Sequence, residues 1–309
     1  MLPRISIIGA NGFVGRHLVD LLAREERPCL GIVRSEAGAR VVRERGGEAF
    51  KLADLDASST RPLVPALEGS AGLVYTASVS AVAGAADRTD PSGLVNVLDA
   101  CRAAGVRRCV FLSGLGIAHY GMNPHCTNPY FLAKMAGEVA LFRSGLEAAV
   151  FRPSYIFGAG DEFLSPLIRR MSEETAIEIP GRGDYRLQPV SVEDTARAIL
   201  GALDAPASGS PSVVDLVGPE IVSYRALVGR IARILGRAVD IRERPVEEAQ
   251  ALARDGGYFG LRPHDLACLL CDEVSDPGPV ASLAGGPLEP LDRMLERTVA
   301  ALARGEHAR

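Results

Sequence analysis

Short apolar runs alternate with amphipathic stretches through the first half of the chain. Residues 5–8, 30–33, 73–76, 109–112 and 148–151 are runs short enough for strands, and apolar enough to be covered on both faces. Between them, residues 15–24 and 94–104 place apolar side chains at helical spacing. Strand and helix in alternation imply right-handed βαβ units, hence a parallel sheet with helices on both sides. The expected fold class is α/β, a doubly wound Rossmann sheet.

After Arg152 the pattern changes. Pro153, Gly158, Gly160, Pro166, Pro180, Gly181 and Gly183 interrupt every periodicity. A smaller C-terminal α+β lobe is expected to begin there. The run 188–192, a helix over 192–203 and a strand at 213–217 read as a return to the main sheet. The expected division is therefore a dinucleotide-binding domain over 1–157, rejoined by 188–217, and a substrate-binding lobe from 158–187 and 218–309. The latter carries helices near 224–235 and 288–303.

Composition narrows the partners. Of 309 residues, 47% are hydrophobic and 23% charged, ordinary for a folded globular chain. A net charge of −4 leaves no surplus of cations for phosphate backbones, so nucleic acid is not an expected partner. No export signal is read at the start, which points to the cytoplasm. Residues 69–86 carry no charge but are rich in Ala, Gly and Ser, the composition of a strand and loop rather than of a membrane span. The six cysteines are expected to be reduced, with Cys268 and Cys271 on a buried helical face and no metal bound. Oligomeric state is not legible.

The candidate chemistry begins where residues 5–8 run into Gly9, Ala10, Asn11, Gly12, Phe13, Val14 and Gly15 and then a helix. That is the context of a dinucleotide-binding turn: Gly9 for the turn, Gly12 for close approach of the pyrophosphate, Gly15 for helix–strand packing. The second strand ends in Arg34, where an acid would bind a ribose 2′-hydroxyl; a guanidinium there suits a 2′-phosphate, which favours NADP(H) while NAD(H) stays open. Asp54, with Leu55 beside it, follows a short third strand and is a candidate acceptor for the adenine amino group. Tyr130 and Lys134 are four apart on a helix expected over 128–142, hence on one face, and follow the strand 109–112 whose C-terminal end is a ligand-binding edge. A neighbouring ammonium favours the ionised tyrosine and so tunes it for proton transfer.

Together with GANGFVG and YFLAK, the blocks NVLDACRAAGV, FRPSYIFGAGD and QPVSVEDTARAI occur in an order that resembles the short-chain dehydrogenase/reductase superfamily, in its extended or atypical, epimerase/dehydratase-like branch. Within it, RPSYIFGAGDEF and LRPHDLACLLCDEVSD are similar to the NADPH-binding accessory subunit of respiratory complex I, with 3β-hydroxysteroid dehydrogenases next. The resemblance implies that Tyr130 is the acid/base, that Lys134 also holds the nicotinamide ribose, and that Thr76, Ala77, Ser78, Pro153, Ser154 and Ile156 line the cofactor. It also implies a catalytic hydroxyl just beyond 109–112. Ser113 is the candidate, although the position aligns nearer Gly114, in which case His119 or Tyr120 would have to substitute. The family's helix-four asparagine aligns near Asp90. His119, His125 and Cys126 sit in the loop before Tyr130, where substrate contacts concentrate.

The resulting expectation is an NADP(H)-dependent oxidoreductase that reduces a carbonyl, or oxidises an alcohol, of a small hydrophobic substrate by hydride transfer, with Tyr130 moving the proton. Two alternatives stand beside it: a nucleotide-sugar epimerase or dehydratase with tightly held NAD(P), and a non-catalytic NADP(H)-binding protein.

Overall fold

The computed structural model describes residues 2–53, 55, 61–77, 92–122, 129–206, 211–255, 258, 261 and 263–305. Within them the chain runs β1 (Arg4–Ile8), α1 (Phe13–Arg24), β2 (Cys29–Val33), α2 (Glu36–Glu44), β3 (Glu48–Lys51), α3 (Leu63–Leu67), β4 (Ser70–Tyr75), α4 (Ser92–Ala103) and β5 (Arg108–Leu112). A 3₁₀ turn (Leu115–His119) leads to α5 (Pro129–Arg143), β6 (Glu147–Pro153) and β7 (Ile156–Phe157). Then come α6 (Leu164–Glu173), β8 (Ala176–Pro180), β9 (Arg186–Leu187), β10 (Val190–Ser191), α7 (Val192–Asp204), β11 (Ser212–Leu216), β12 (Val222–Ser223) and α8 (Tyr224–Ile234). β13 (Asp240–Arg244), α9 (Val246–Arg254), α10 (Pro263–Leu269), α11 (Gly278–Leu283) and α12 (Leu291–Ala303) complete it.

Seven strands form one sheet in the order β11-β6-β5-β4-β1-β2-β3, with every pairing parallel. This is a doubly wound Rossmann sheet. Alternation along each strand feeds a different core on each side. Ile7, Val110 and Leu112 join α1 and α7 on one face, while Ile8, Cys109 and Phe111 join α3 and α4 on the other. Both sides are covered, which is why the strands read as unbroken apolar runs. β1 lies between β2 and β4, so strand order reverses there, and the C-terminal end of β1 is where such a sheet binds ligands.

β11 pairs along β6 from Ser212↔Ala149 to Leu216↔Pro153, bringing 212–216 into the main sheet. A third core, built around Phe157, Leu164, Ile177, Leu227 and Leu295, is formed by α6, β8, α8 and α12. Sequence patterning missed β8 and β13, which pair with each other in parallel, because β13 reads Asp-Ile-Arg-Glu-Arg and carries its charges to the surface. It also missed the short helices α2, α6 and α9 to α11. Among the described residues, no helix is long and apolar enough to cross a membrane.

The cysteines need one correction. Cys29, Cys101, Cys109 and Cys268 are free, but Cys271 is disulfide-bonded, against the expectation of reduced thiols throughout. Burial pushes Cys29 and Cys101 up to about 12, so neither is a nucleophile. Among the described residues no group of side chains could hold a metal ion.

Candidate active site at the C-terminal edge of the sheet

Gly9 ends β1 with φ of 81°, the left-handed region that a side chain disfavours, and a Cβ there would lie 2.9 Å from Thr76 Oγ1. Thr76 closes the turn from the other strand, donating from Oγ1 to the Ile8 carbonyl at 2.8 Å. A Cβ on Gly15 would overlap the Gly9 carbonyl oxygen, so α1 packs on the turn at a distance only glycine permits. Gly12 and Asn11 are exposed on the outer side of this cradle, and Val14 is buried behind it. Asn11 lies against the first turn of α2: a Cβ on Gly38 would be 3.0 Å from Asn11 Cγ. The half-buried Phe13 meets His17 edge-on at 5.4 Å and lies 5.3 Å beneath the Arg16 guanidinium. This cradle fits a dinucleotide pyrophosphate, with α1 beginning directly behind it.

Arg34 follows β2 directly and is exposed, and Ser35 caps α2 by accepting from the Gly38 N–H at 3.1 Å. The Leu55 carbonyl accepts from Asn96 Nδ2 at 2.9 Å, which ties the segment after β3 to α4. Asp54, Ser78, Asp90, His125 and Cys126 lie outside the described residues. Ala77 is half-buried beside the Gly9 turn.

Tyr130 and Lys134 are brought together as the spacing predicts. Lys134 Nζ sits 5.6 Å from the centre of the Tyr130 ring and 5.2 Å from that of Phe111. It donates to the Leu112 carbonyl at 2.8 Å, which fixes α5 over the end of β5. Burial lowers the Lys134 ammonium to about 8, and the Glu138 carboxylate opposes that fall. Ser113 is buried too, and its hydroxyl donates to Glu138 Oε1 at 2.5 Å. Arg152 on β6 grips the same carboxylate with two prongs, Nε to Oε1 at 2.9 Å and Nη2 to Oε2 at 2.6 Å. The residue that faces Tyr130 beyond β5 is Gly114: a Cβ on it would lie 3.7 Å from Tyr130 Cε1. His119 and Tyr120, half-buried, end the following 3₁₀ turn.

The segment after β6 lies next to this edge. Pro153 pairs with Leu216, and Ile156 pairs with Val190. Ser154 accepts from the Gln188 N–H at 3.3 Å and donates to the carboxyl of Glu273, which also accepts from the Gly116 N–H. Glu273 thus joins the segments leaving β5 and β6 to the C-terminal chain. Burial drives its carboxyl up to about 8, which favours the protonated, uncharged form. Beside it the Tyr155 hydroxyl is buried, without a hydrogen-bond partner among the described residues, although the residue as a whole is half-buried. Sequence reasoning missed Glu138, Arg152 and Glu273 as site residues. Glu138 was within reach, since it stands one further turn along the helical face that carries Tyr130 and Lys134.

A glycine cradle at the switch point, with a half-buried tyrosine beside a buried lysine two strands away, defines a nicotinamide-dinucleotide enzyme of the extended short-chain dehydrogenase/reductase type. The chain belongs to the NAD dependent epimerase/dehydratase family, whose model matches residues 5–217. It is similar to the mitochondrial NADH dehydrogenase [ubiquinone] 1 alpha subcomplex subunit 9 of Arabidopsis thaliana, at 26% identity over 72% of this chain and 55% of that protein. It is similar also to the 2-alkyl-3-oxoalkanoate reductase of Stenotrophomonas maltophilia (strain K279a), at 24% identity over 75% of this chain and 76% of the other. In fold it resembles the UDP-glucose 4-epimerase of Thermotoga maritima, with a TM-score of 0.76, 20% identity, and coverage of 98% of this chain and 100% of that one.

Proposed function

We propose that this enzyme reduces a carbonyl group of a small, hydrophobic substrate with NADPH, Tyr130 delivering the proton. The observation that carries the reading is the Lys134 ammonium, buried within 5.6 Å of the Tyr130 ring at the C-terminal end of β5. A cation held there by the Leu112 carbonyl favours the tyrosinate left after proton donation, and it stands where the nicotinamide ribose would be received. The dinucleotide, when bound, would supply the hydride. Gly9, Gly12, Gly15 and the start of α1 would hold its pyrophosphate. Arg34 would take the 2′-phosphate; it is exposed, and among the described residues no acid pairs with it. Thr76, Ala77, Pro153, Ser154 and Ile156 would line the nicotinamide half. In this reading Ser113 keeps the site in shape through Glu138, and the smaller lobe from 158–187 and 218–309 closes over the substrate.

Two features support a hydrophobic substrate. The lysine and arginine of this edge are already engaged, Lys134 by Leu112 and Arg152 by Glu138. The segment after β6 leads into an aromatic cluster of Tyr155, Phe157, Phe163 and Tyr224, packed in the apolar core of the smaller lobe. One observation favours a second reading, a dinucleotide-binding protein without turnover: Gly114 puts no hydroxyl beside Tyr130. Calorimetric titration with NADPH and with NADH tests the common core. Tighter NADPH binding that weakens about tenfold or more in Arg34→Ala is expected, since a charge-assisted contact contributes about 1.5–3 kcal/mol. Binding of neither dinucleotide would overturn both readings. Turnover of a ketone panel with NADPH then separates the first from the second.

A further inference from the structure

We propose that Glu138 is a positioning residue that keeps Lys134 in place as an ammonium, with its own charge metered by Arg152 and Ser113. The proposal rests on the reading of Tyr130 and Lys134 given above and deepens it. α5 presents Tyr130, Lys134 and Glu138 on successive turns of one face, and that face meets the ends of β5 and β6. Among the described residues, the buried ammonium donates to the neutral Leu112 carbonyl alone. A carbonyl orients the ammonium but does not neutralise it, so the charge that offsets its desolvation has to come from nearby. Glu138 supplies that charge from a side chain only 4% exposed.

The Glu138 carboxylate is fixed by partners other than Lys134. It is held on the β6 side by the two-pronged grip of Arg152, and on the β5 side by Ser113, the residue that follows the Leu112 acceptor. A single carboxylate therefore ties together β5, β6 and α5 at the ligand edge. Among the described residues, the titratable and charged groups near it are Lys134 and Tyr130 from α5, Arg152 from β6, and Asp215 of β11 behind Arg152. Asp215 is itself engaged, accepting from Ser275 Oγ at 2.8 Å. Ser113, just beyond β5, adds a donor that does not titrate.

The chain offers a direct test because it contains just two lysines, Lys51 and Lys134. Lys51 ends β3 on the surface and serves as an internal reference. With lysine carrying a carbon-13 label at Cε, NMR follows both titrations in the full chain without cofactor or substrate. In Glu138→Gln the Lys134 midpoint is expected to fall by about one pH unit or more, roughly a tenfold loss of ammonium between the two midpoints, with Lys51 unmoved. In Arg152→Gln it is expected to rise, because the carboxylate is no longer neutralised. Glu138→Asp should return most of the wild-type value. Opposite signs are the signature, since both substitutions break the same ion pair and a purely structural bracket would move Lys134 one way in each. Shifts of the same sign, or a Lys134 midpoint unmoved in Glu138→Gln, would overturn the proposal. If Glu138→Gln does not fold, Arg152→Gln decides it: a Lys134 midpoint that does not rise overturns the proposal. NADPH titration of wild type is a separate readout, so a failure of the reductase reading is not confused with a failure of this one.

Discussion

If the site reduces a carbonyl as proposed, placing a serine at position 114 should make that reduction faster. Gly114 has φ of −159° and ψ of 138°, extended backbone that any residue adopts. A Cβ added there meets Tyr130 Cε1 and Phe131 Cε1 at 3.7 Å and Phe131 Cδ1 at 3.9 Å, all ordinary contacts. A serine hydroxyl extends one bond further, on the Tyr130 side of the chain, where the oxygen of a reacting carbonyl would lie. A hydrogen bond to oxygen that gains negative charge in the transition state is worth about 1.5–3 kcal/mol, and each 1.36 kcal/mol is tenfold, so kcat should rise about 10- to 100-fold. Replacing glycine in extended backbone also reduces the freedom of the unfolded chain, so Tm should hold or rise slightly. Gly116→Ser is the control: its Cβ would overlap the Phe131 ring, which is 1% exposed and has nowhere to go. That variant should lose stability by about 1–3 kcal/mol and gain no rate. The assay is steady-state NADPH oxidation with a ketone that wild type accepts, kcat and KM resolved separately. A folded Gly114→Ser protein with unchanged or lower kcat would refute the reasoning, showing that no carbonyl oxygen passes between residue 114 and Tyr130.

Tyr130→Phe should lower kcat by about 10²- to 10⁴-fold and leave NADPH affinity within a few-fold, as expected for loss of a proton donor; calorimetry beside kinetics checks it. Because the Lys134 ammonium lies at about 8, cofactor affinity should decline as pH rises through that value, and a decline that begins only near pH 10 would contradict the assignment. Glu273 has a folded value of about 8 against an ordinary 4.5, so the folded state binds the extra proton and stability is lost as pH rises from 4.5 to 8. Glu273→Gln, neutral at every pH, should therefore raise Tm relative to wild type at pH 8, by an amount on the order of a few kcal/mol in stability, and change it little at pH 4.5. Melting curves at the two pH values test this.

The local pattern of residues was enough for the Rossmann sheet, the dinucleotide turn and the Tyr130–Lys134 pair, because each depends on spacing within a few residues. A strand buried on both sides must be apolar throughout, a tight turn before a helix needs glycine, and two side chains four apart share a helical face. The same pattern could not show what lies opposite those residues. Ser113 and Gly114 are neighbours in an extended chain, so their side-chain directions point to opposite sides. Only the packing of α5 decides that Ser113 meets Glu138 while Gly114 meets Tyr130. Arg152 joins Glu138 because α5, which connects β5 to β6, packs back against β6, although 14 residues separate the two in the chain. Glu273, well over 100 residues from the segments it joins, has its carboxyl pushed up by burial rather than by any feature of its local sequence. Charge state follows from desolvation and from the charges across a contact, and both are properties of the folded neighbourhood rather than of the residue.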